Sequence, residues 1–333
     1  YFLILMCGSI FELINVSLAG FFAGIGCTRI VMTANVIGML INLPLNWLLI
    51  FGMKNRFIQF DGLGISGAAI ASVISFFVTS IILFMHYRKP EYHKKFSTNR
   101  IRKINWLIIK KIFRYGGQSG IESFLNISAF NSFVFIGGAL GIVAQSSINI
   151  VFSWNLLAFL PLIGISIAVS SLVGRNMGAQ NPSGAETAVN SALVVGILFI
   201  SIVAFFYGVY PERLVDFFCK AQGNTNLADI ETIIQIKNLA SKMLYMTLFY
   251  LFADVLLVIF AGALRGAGDT NFLMVTSAAA HWFLLVLPTY LAVFKFHKDV
   301  IFVWSIFIIF SLILTIAYII RYYLGIWKKI KVI

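Results

Sequence analysis

Apolar runs of membrane-crossing length recur nine times along the chain, at 1–23, 29–52, 63–86, 113–137, 143–172, 185–207, 241–263, 271–294 and 300–323. Each matches the roughly 20 helical residues needed to cross a hydrocarbon core about 30 Å thick. The first run carries Glu12 and has no small-residue cleavage site, so it reads as a span and not as a signal peptide. The polar interruption at 208–240 is the longest, and its mixed pattern predicts an outer loop holding a short interfacial helix.

Composition fits this pattern. The chain has 333 residues, of which 60% are apolar and only 11% charged. That is too little charge to cover a water-soluble surface, so the excess apolar area faces lipid. The fold class expected is an all-α polytopic membrane protein. A net charge of +13 raises the question of nucleic acid, and its distribution answers against it. Ten of the 25 Lys and Arg lie between Arg88 and Arg114, opposed only by Glu91. This is the look of a cytoplasmic loop under the positive-inside rule. With that loop inside, nine spans put 17 basic residues on the inner side and 8 on the outer. The C-terminus is then cytoplasmic as well. Cys7, Cys27 and Cys219 have no paired spacing, so neither a disulfide framework nor a structural metal site is expected.

One piece of glycine punctuation occurs twice. GFFAGIGCT at 20–28 and GALRGAGDT at 262–270 are offset by 242 residues. At that offset Gly20 falls on Gly262, Gly24 on Gly266, Gly26 on Gly268, Thr28 on Thr270 and Met32 on Met274. Acidic Glu12 falls on acidic Asp254. Together these matches read as an internal duplication. The copies close spans one and seven, so the unit is six helices, and an even number gives both copies one orientation. The expectation is two six-helix lobes related by a pseudo-two-fold axis along the membrane normal. Residues 1–87 are then the last three helices of the first lobe, 88–112 a basic cytoplasmic linker and 113–327 a complete second lobe. Three helices are expected upstream of Tyr1.

AGALRGAGDT, followed by a helix containing Leu287-Pro288, resembles the multidrug and toxic compound extrusion (MATE) transporters, in their NorM-like or DinF-like branch. So do FFAGIGCTRIVMTANVIGMLINLPLNWLLIFG at 21–52, GISGAAIAS at 64–72 and PLIGISIAVSSLVGRNMGA at 161–179. The resemblance covers essentially the whole chain. It implies a twelve-helix, two-lobed monomeric exporter in a bacterial or archaeal inner membrane, exchanging H+ or Na+ for organic, often cationic, compounds. Gly262, Arg265, Gly266, Gly268, Asp269 and Thr270 carry the family motif. Asp254 matches the Asp that precedes this motif in the NorM branch, where it belongs to the cation site. The functional Glu of the fourth span aligns with Asn126, and Glu122 stands one turn earlier on the same face. A cation site of Asp254, Glu122 and Asn126 is the expectation.

The residues support that chemistry on their own terms. Glu12, Glu122 and Asp254 are the acids in the interior of spans. An ionised carboxylate there must be paired, protonated or facing a wet cavity. Amides and hydroxyls add polar stripes: Gln145, Asn149 and Ser153 on one span, Asn35, Asn42 and Asn46 on another. Glu12, Asn42, Asn149, Ser153 and His281 are candidates for the substrate cavity, although single amides more often join helices and a lone histidine more often packs than relays protons. Pro44, Pro161 and Pro288 fall within spans and are candidate kinks.

No G-K-[ST] follows either glycine run, so neither ATP nor any other cofactor is expected, and an ion gradient supplies the energy. The partners expected are membrane lipid and a small organic substrate. A lipid-linked oligosaccharide flippase of the same superfamily shares the helix plan, but the near-complete GALRGAGDT motif argues against it. A polytopic membrane transferase would gather His and Asp at one interface, whereas these acids are scattered at mid-span. The expected protein is not an enzyme.

Overall fold

The computed structural model describes residues 1–54, 59–97, 105–219 and 227–330. The chain forms two compact units, Tyr1–Ile104 and Asn105–Ile333. The nine predicted spans are all helical, and among the described residues eight helices are long and apolar enough to cross a membrane. The helix at the remaining position, α5, is diluted by Gln118, Glu122, Asn126, Asn131 and Ser132.

The first unit comprises α1 (Phe2–Gly24), α2 (Thr28–Phe51), α3 (Ile65–Tyr87) and the short α4 (Pro90–Phe96). A two-stranded exception to the all-helical plan is a hairpin, β1 (Gly52–Lys54) with β2 (Gln59–Asp61), which returns the chain from α2 to α3. The helix α3 holds its neighbours with hydroxyls rather than bulk. Ser75 donates to the Gly38 carbonyl of α2 at 2.7 Å, and Ser80 to the Asn15 side chain of α1 at 2.8 Å. Asn15 in turn donates to the Phe76 carbonyl at 3.1 Å. In lipid such bonds, with close packing of small residues, replace the hydrophobic effect as the force between helices.

The second unit comprises α5 (Trp106–Gly138), α6 (Ile142–Gly178), α7 (Pro182–Val209), α8 (Pro211–Cys219), α9 (Leu227–Gly266), a rod of Thr270–Lys295 and α12 (Val300–Tyr323). Asn105, Asn181 and Asp299 cap α5, α7 and α12 by accepting from the first-turn amides of Leu107, Gly184 and Phe302. The expected interfacial helix is α8, pinned by the indole N–H of Trp154 on the Leu214 carbonyl. The core runs along α9, which packs on α6, α7, α8 and α12.

Two boundaries differ from the sequence reading. α9 starts at Leu227 rather than near 241, and α5 at Trp106 rather than near 113. Both extensions mix apolar residues with charged ones, Lys110 and Lys111 on α5 and Asp229, Glu231 and Lys237 on α9. On α9 the extra turns are held by Lys237, which meets Asp216 of α8 at 3.1 Å, so a hydropathy pattern misses them.

The rod begins as α10 (Thr270–Ala279), widens to π-helix over Ala280–Val286, returns to α-helix as α11 (Leu287–Tyr290) and widens again over Leu291–Lys295. Pro288 lies just after the first widening. Its ring crowds the carbonyl four residues back, Leu284, and its missing N–H leaves one ladder bond unmade. A π-helical turn relieves both.

The two glycine motifs are one turn used twice. Asp269 N–H donates to the Leu264 carbonyl at 2.9 Å and Gly268 N–H to Arg265 at 3.1 Å. At the 242-residue offset, Cys27 donates to Phe22 at 2.8 Å and Gly26 to Ala23 at 3.1 Å. Gly26 and Gly268 have φ of 80° and 85°, the left-handed conformation that ends a helix in this motif.

Candidate functional site

α9 carries the central acid. Asp254 is partly buried and accepts from the Ser311 hydroxyl of α12 at 2.8 Å. It faces a cavity of about 10 Å³, room for roughly one water. Asn155 of α6 lines the same cavity. Its amide nitrogen donates to the Tyr250 hydroxyl at 2.8 Å, while its carbonyl oxygen is buried without a partner. Among the described residues no basic side chain pairs with Asp254. A carboxylate with one hydroxyl donor, beside a water-sized space and an unused amide oxygen, is suited to take up a small cation or a proton.

A second polar cluster lies along α5, where Gln118, Glu122 and Asn126 recur at four-residue spacing and share a face. Each reaches a different residue in or just after the glycine motif. The Thr270 hydroxyl donates to the Gln118 side-chain oxygen at 2.6 Å. Arg265 donates to Glu122 Oε1 at 3.0 Å, and the Ser277 hydroxyl to Asn126 Oδ1 at 3.0 Å. Glu122 is only 4% exposed, and its Oε2 is buried with no hydrogen-bond partner. Asp269 of the same motif is buried and held by Arg321 of α12 through two bonds, at 2.8 and 3.2 Å. The motif is thus a hub that ties the end of α9 to both α5 and α12.

The candidates therefore separate into distinct surroundings. Glu122 and Asn126 lie together on α5, each with its own partner. Asp254 and Arg265 are eleven residues apart on α9, about three turns and roughly 16 Å, and so on the same face. His281 is the second residue of the π-helical stretch; its Nδ1 donates to the Ser277 carbonyl at 2.8 Å, and its ring packs edge-on against Phe310. Ser153 donates to the backbone of exposed Asn149 at 2.8 Å. In the first unit Glu12 is exposed on α1, and Asn42 accepts from Asn46 at 2.8 Å. A larger, open depression of about 420 Å³ beside Asn131, Ser132, Phe135, Ile136 and Val286 is lined by none of these candidates.

Sequence reasoning missed Asn155, Gln118, Ser277 and Ser311. Gln118 was detectable, standing four residues before Glu122 as Asn126 stands four after it. Asn155 had only the signal of an amide within an apolar span.

A family model described as MatE matches residues 119–291. The multidrug resistance protein MdtK of Proteus mirabilis is 29% identical over 262 residues, covering 78% of this chain and 53% of that protein. The probable multidrug resistance protein NorM of Thermotoga maritima is 27% identical over 286 residues, covering 85% of this chain and 57% of its own. The chain spans about half the length of the curated relatives it matches. A solved MOP-superfamily transporter from Pyrococcus furiosus is similar with a TM-score of 0.82 at 19% identity, over 98% of this chain and 69% of that one. At that identity the likeness shows the fold. The matched stretch is more than half of the chain and holds Glu122, Asp254 and the whole GALRGAGDT motif, so the chain belongs to the MatE family.

Proposed function

We propose that the protein is a cation-coupled antiporter that exports organic, cationic, drug-like compounds by alternating access. Asp254 carries the coupling ion, H+ or Na+. The observation that carries this reading is the environment of Asp254: one hydroxyl donor, no basic partner among the described residues, and a one-water cavity shared with the unused oxygen of Asn155. A carboxylate locked in a salt bridge has its charge already matched and gains little from a further cation. One that is poorly compensated gains most when an ion binds, and loses that gain when it leaves. Loading therefore biases the unit toward one arrangement and substrate toward another, which is the differential affinity that exchange requires. The names of the relatives, multidrug resistance proteins, support the substrate class. In this reading the 88–112 segment and the C-terminus face the cytoplasm.

The test is dye efflux. Cells producing the protein should retain less ethidium than control cells, and Asp254→Asn, which keeps shape and removes the charge, should abolish the difference. Undiminished efflux in a well-expressed Asp254→Asn variant would remove Asp254 from the mechanism. Reversing efflux with an imposed H+ or Na+ gradient in vesicles identifies the ion.

A further inference from the structure

Glu122 is more deeply buried than Asp254, yet it is neutralised in a different way. An ionised carboxylate taken out of water needs an opposite charge or several donors. Glu122 has one donor, the Arg265 guanidinium at 3.0 Å, and its second oxygen has none. The amides that flank it on α5 are already committed, Gln118 to Thr270 and Asn126 to Ser277. Tyr318 of α12 is within electrostatic reach of both members of the pair. His281, one turn beyond Ser277, bonds to the Ser277 backbone, and Asp269 is taken by Arg321. The compensation of the Glu122 charge therefore rests on Arg265 alone.

A guanidinium stays protonated at any physiological pH. Held on the last turn of α9, Arg265 is a cation that does not dissociate into solution. It occupies at Glu122 the place that a solution cation takes up at Asp254, three turns away on the same face.

We propose that Arg265 is a tethered counter-cation that withdraws Glu122 from ion exchange, so that the transporter couples to the single external cation at Asp254. Glu122 and Asp254 then amount to one exchangeable site. The arginine sets the ion count. The ion count of one rests on the reading of Asp254 given above; the withdrawal of Glu122 does not.

The experiment uses the whole protein reconstituted in vesicles, with ethidium as substrate and an imposed ion gradient. The logarithm of the steady-state ethidium ratio is plotted against that of the ion ratio, and its slope reads the number of ions exchanged. We expect a slope of about one for the parent protein and about two for Arg265→Gln, where Glu122 is released to bind an ion of its own. The double variant Glu122→Gln/Arg265→Gln removes both charges and should return the slope to about one. An Arg265→Gln slope that stays with the parent's overturns the proposal, as does a parent slope near two that falls when Glu122 is neutralised.

A second readout needs neither transport nor Asp254. Without Arg265, the buried Glu122 carboxylate must take a proton or Na+ to stay in place. In sodium-free buffer the Tm of purified Arg265→Gln should fall from about pH 6 to about pH 9 more steeply than that of the double variant, and Na+ should restore it. Identical pH and Na+ dependence in the two variants overturns the proposal. Loss of efflux in Asp254→Asn bears only on the earlier reading, so the two failures are distinguishable.

Discussion

Asp269 and Glu186 each meet a basic side chain from the C-terminal part of the second unit, and their surroundings make the two pairs unequal. The Asp269–Arg321 side chains are 7% and 23% exposed, and the guanidinium makes two bonds. The Glu186–Lys328 side chains are 42% and 40% exposed. Removing one member of a buried pair strands the other charge, at a cost of about 3–5 kcal/mol. An exposed pair is worth about 0–1 kcal/mol because water and salt replace it. Arg321→Gln should therefore lower the Tm of the purified protein strongly, and Lys328→Ala hardly at all; equal losses would contradict this division. Legibility at this scale followed the cost of burial. Asp254 and Glu122 stand out in sequence because a carboxylate in an apolar run demands a reason. Ser311, Ser277 and Asn155 do not, because hydroxyls and amides are cheap in helices and their partners depend on helix rotation. That Glu122 meets Arg265, 143 positions away, is a fact of packing alone.

At the scale of elements, the glycine motif performs two jobs that its spacing does not separate. Gly268 and its repeat partner Gly26 supply a positive φ, at 85° and 80°. Gly262 and Gly266 instead allow α9 to lie against α6. A methyl carbon on Gly266 would come 2.3 Å from the Ser170 carbonyl oxygen, and one on Gly262 would come 2.6 Å from that of Ser166. Gly26→Ala and Gly268→Ala should thus cost similar amounts, about 1–2 kcal/mol each, since each forces an L-residue into the left-handed region. Gly266→Ala should cost about 1–3 kcal/mol by a different route, since it pushes two helices apart. Thermal melting of the three variants checks this, and a marked inequality between Gly26→Ala and Gly268→Ala would show that the two turns do not bear load alike. The repeat was legible in sequence because conformational demand leaves glycine no substitute. The early starts of α5 and α9 were not, because charges such as Lys110, Lys111 and Lys237 interrupt the apolar pattern there, and a contact such as Lys237 with Asp216 is not registered by hydropathy.

For the whole molecule the decisive quantity is the parity of crossings. Between exposed Ala179, after α6, and exposed Lys298, before α12, the chain runs through α7, α9 and the Thr270–Lys295 rod. Each of these three helices is long and apolar enough to span, whereas α8 is too short. An odd number of crossings puts Ala179 and Lys298 on opposite faces of the membrane, whichever face is cytoplasmic. The basic residues then choose the face. With the 88–114 cluster inside, 17 of the 25 Lys and Arg fall on the inner side, so the orientation predicted is Ala179 cytoplasmic and Lys298 outside. In a background with Cys7, Cys27 and Cys219 replaced, Lys298→Cys should react with a membrane-impermeant maleimide in intact cells. Ala179→Cys should react only after the membrane is opened. Reversed labelling would keep the helix plan and invert the orientation, whereas labelling of both in intact cells would break the count of crossings. On the predicted orientation the Glu122–Arg265 cluster lies toward the Ala179 face and Asp254 deeper, because Arg265 is in the last turn of α9 and Asp254 stands three turns earlier. If Asp254 carries the coupling ion as proposed, an ion arriving from outside meets the uncompensated acid before it meets the one paired with Arg265.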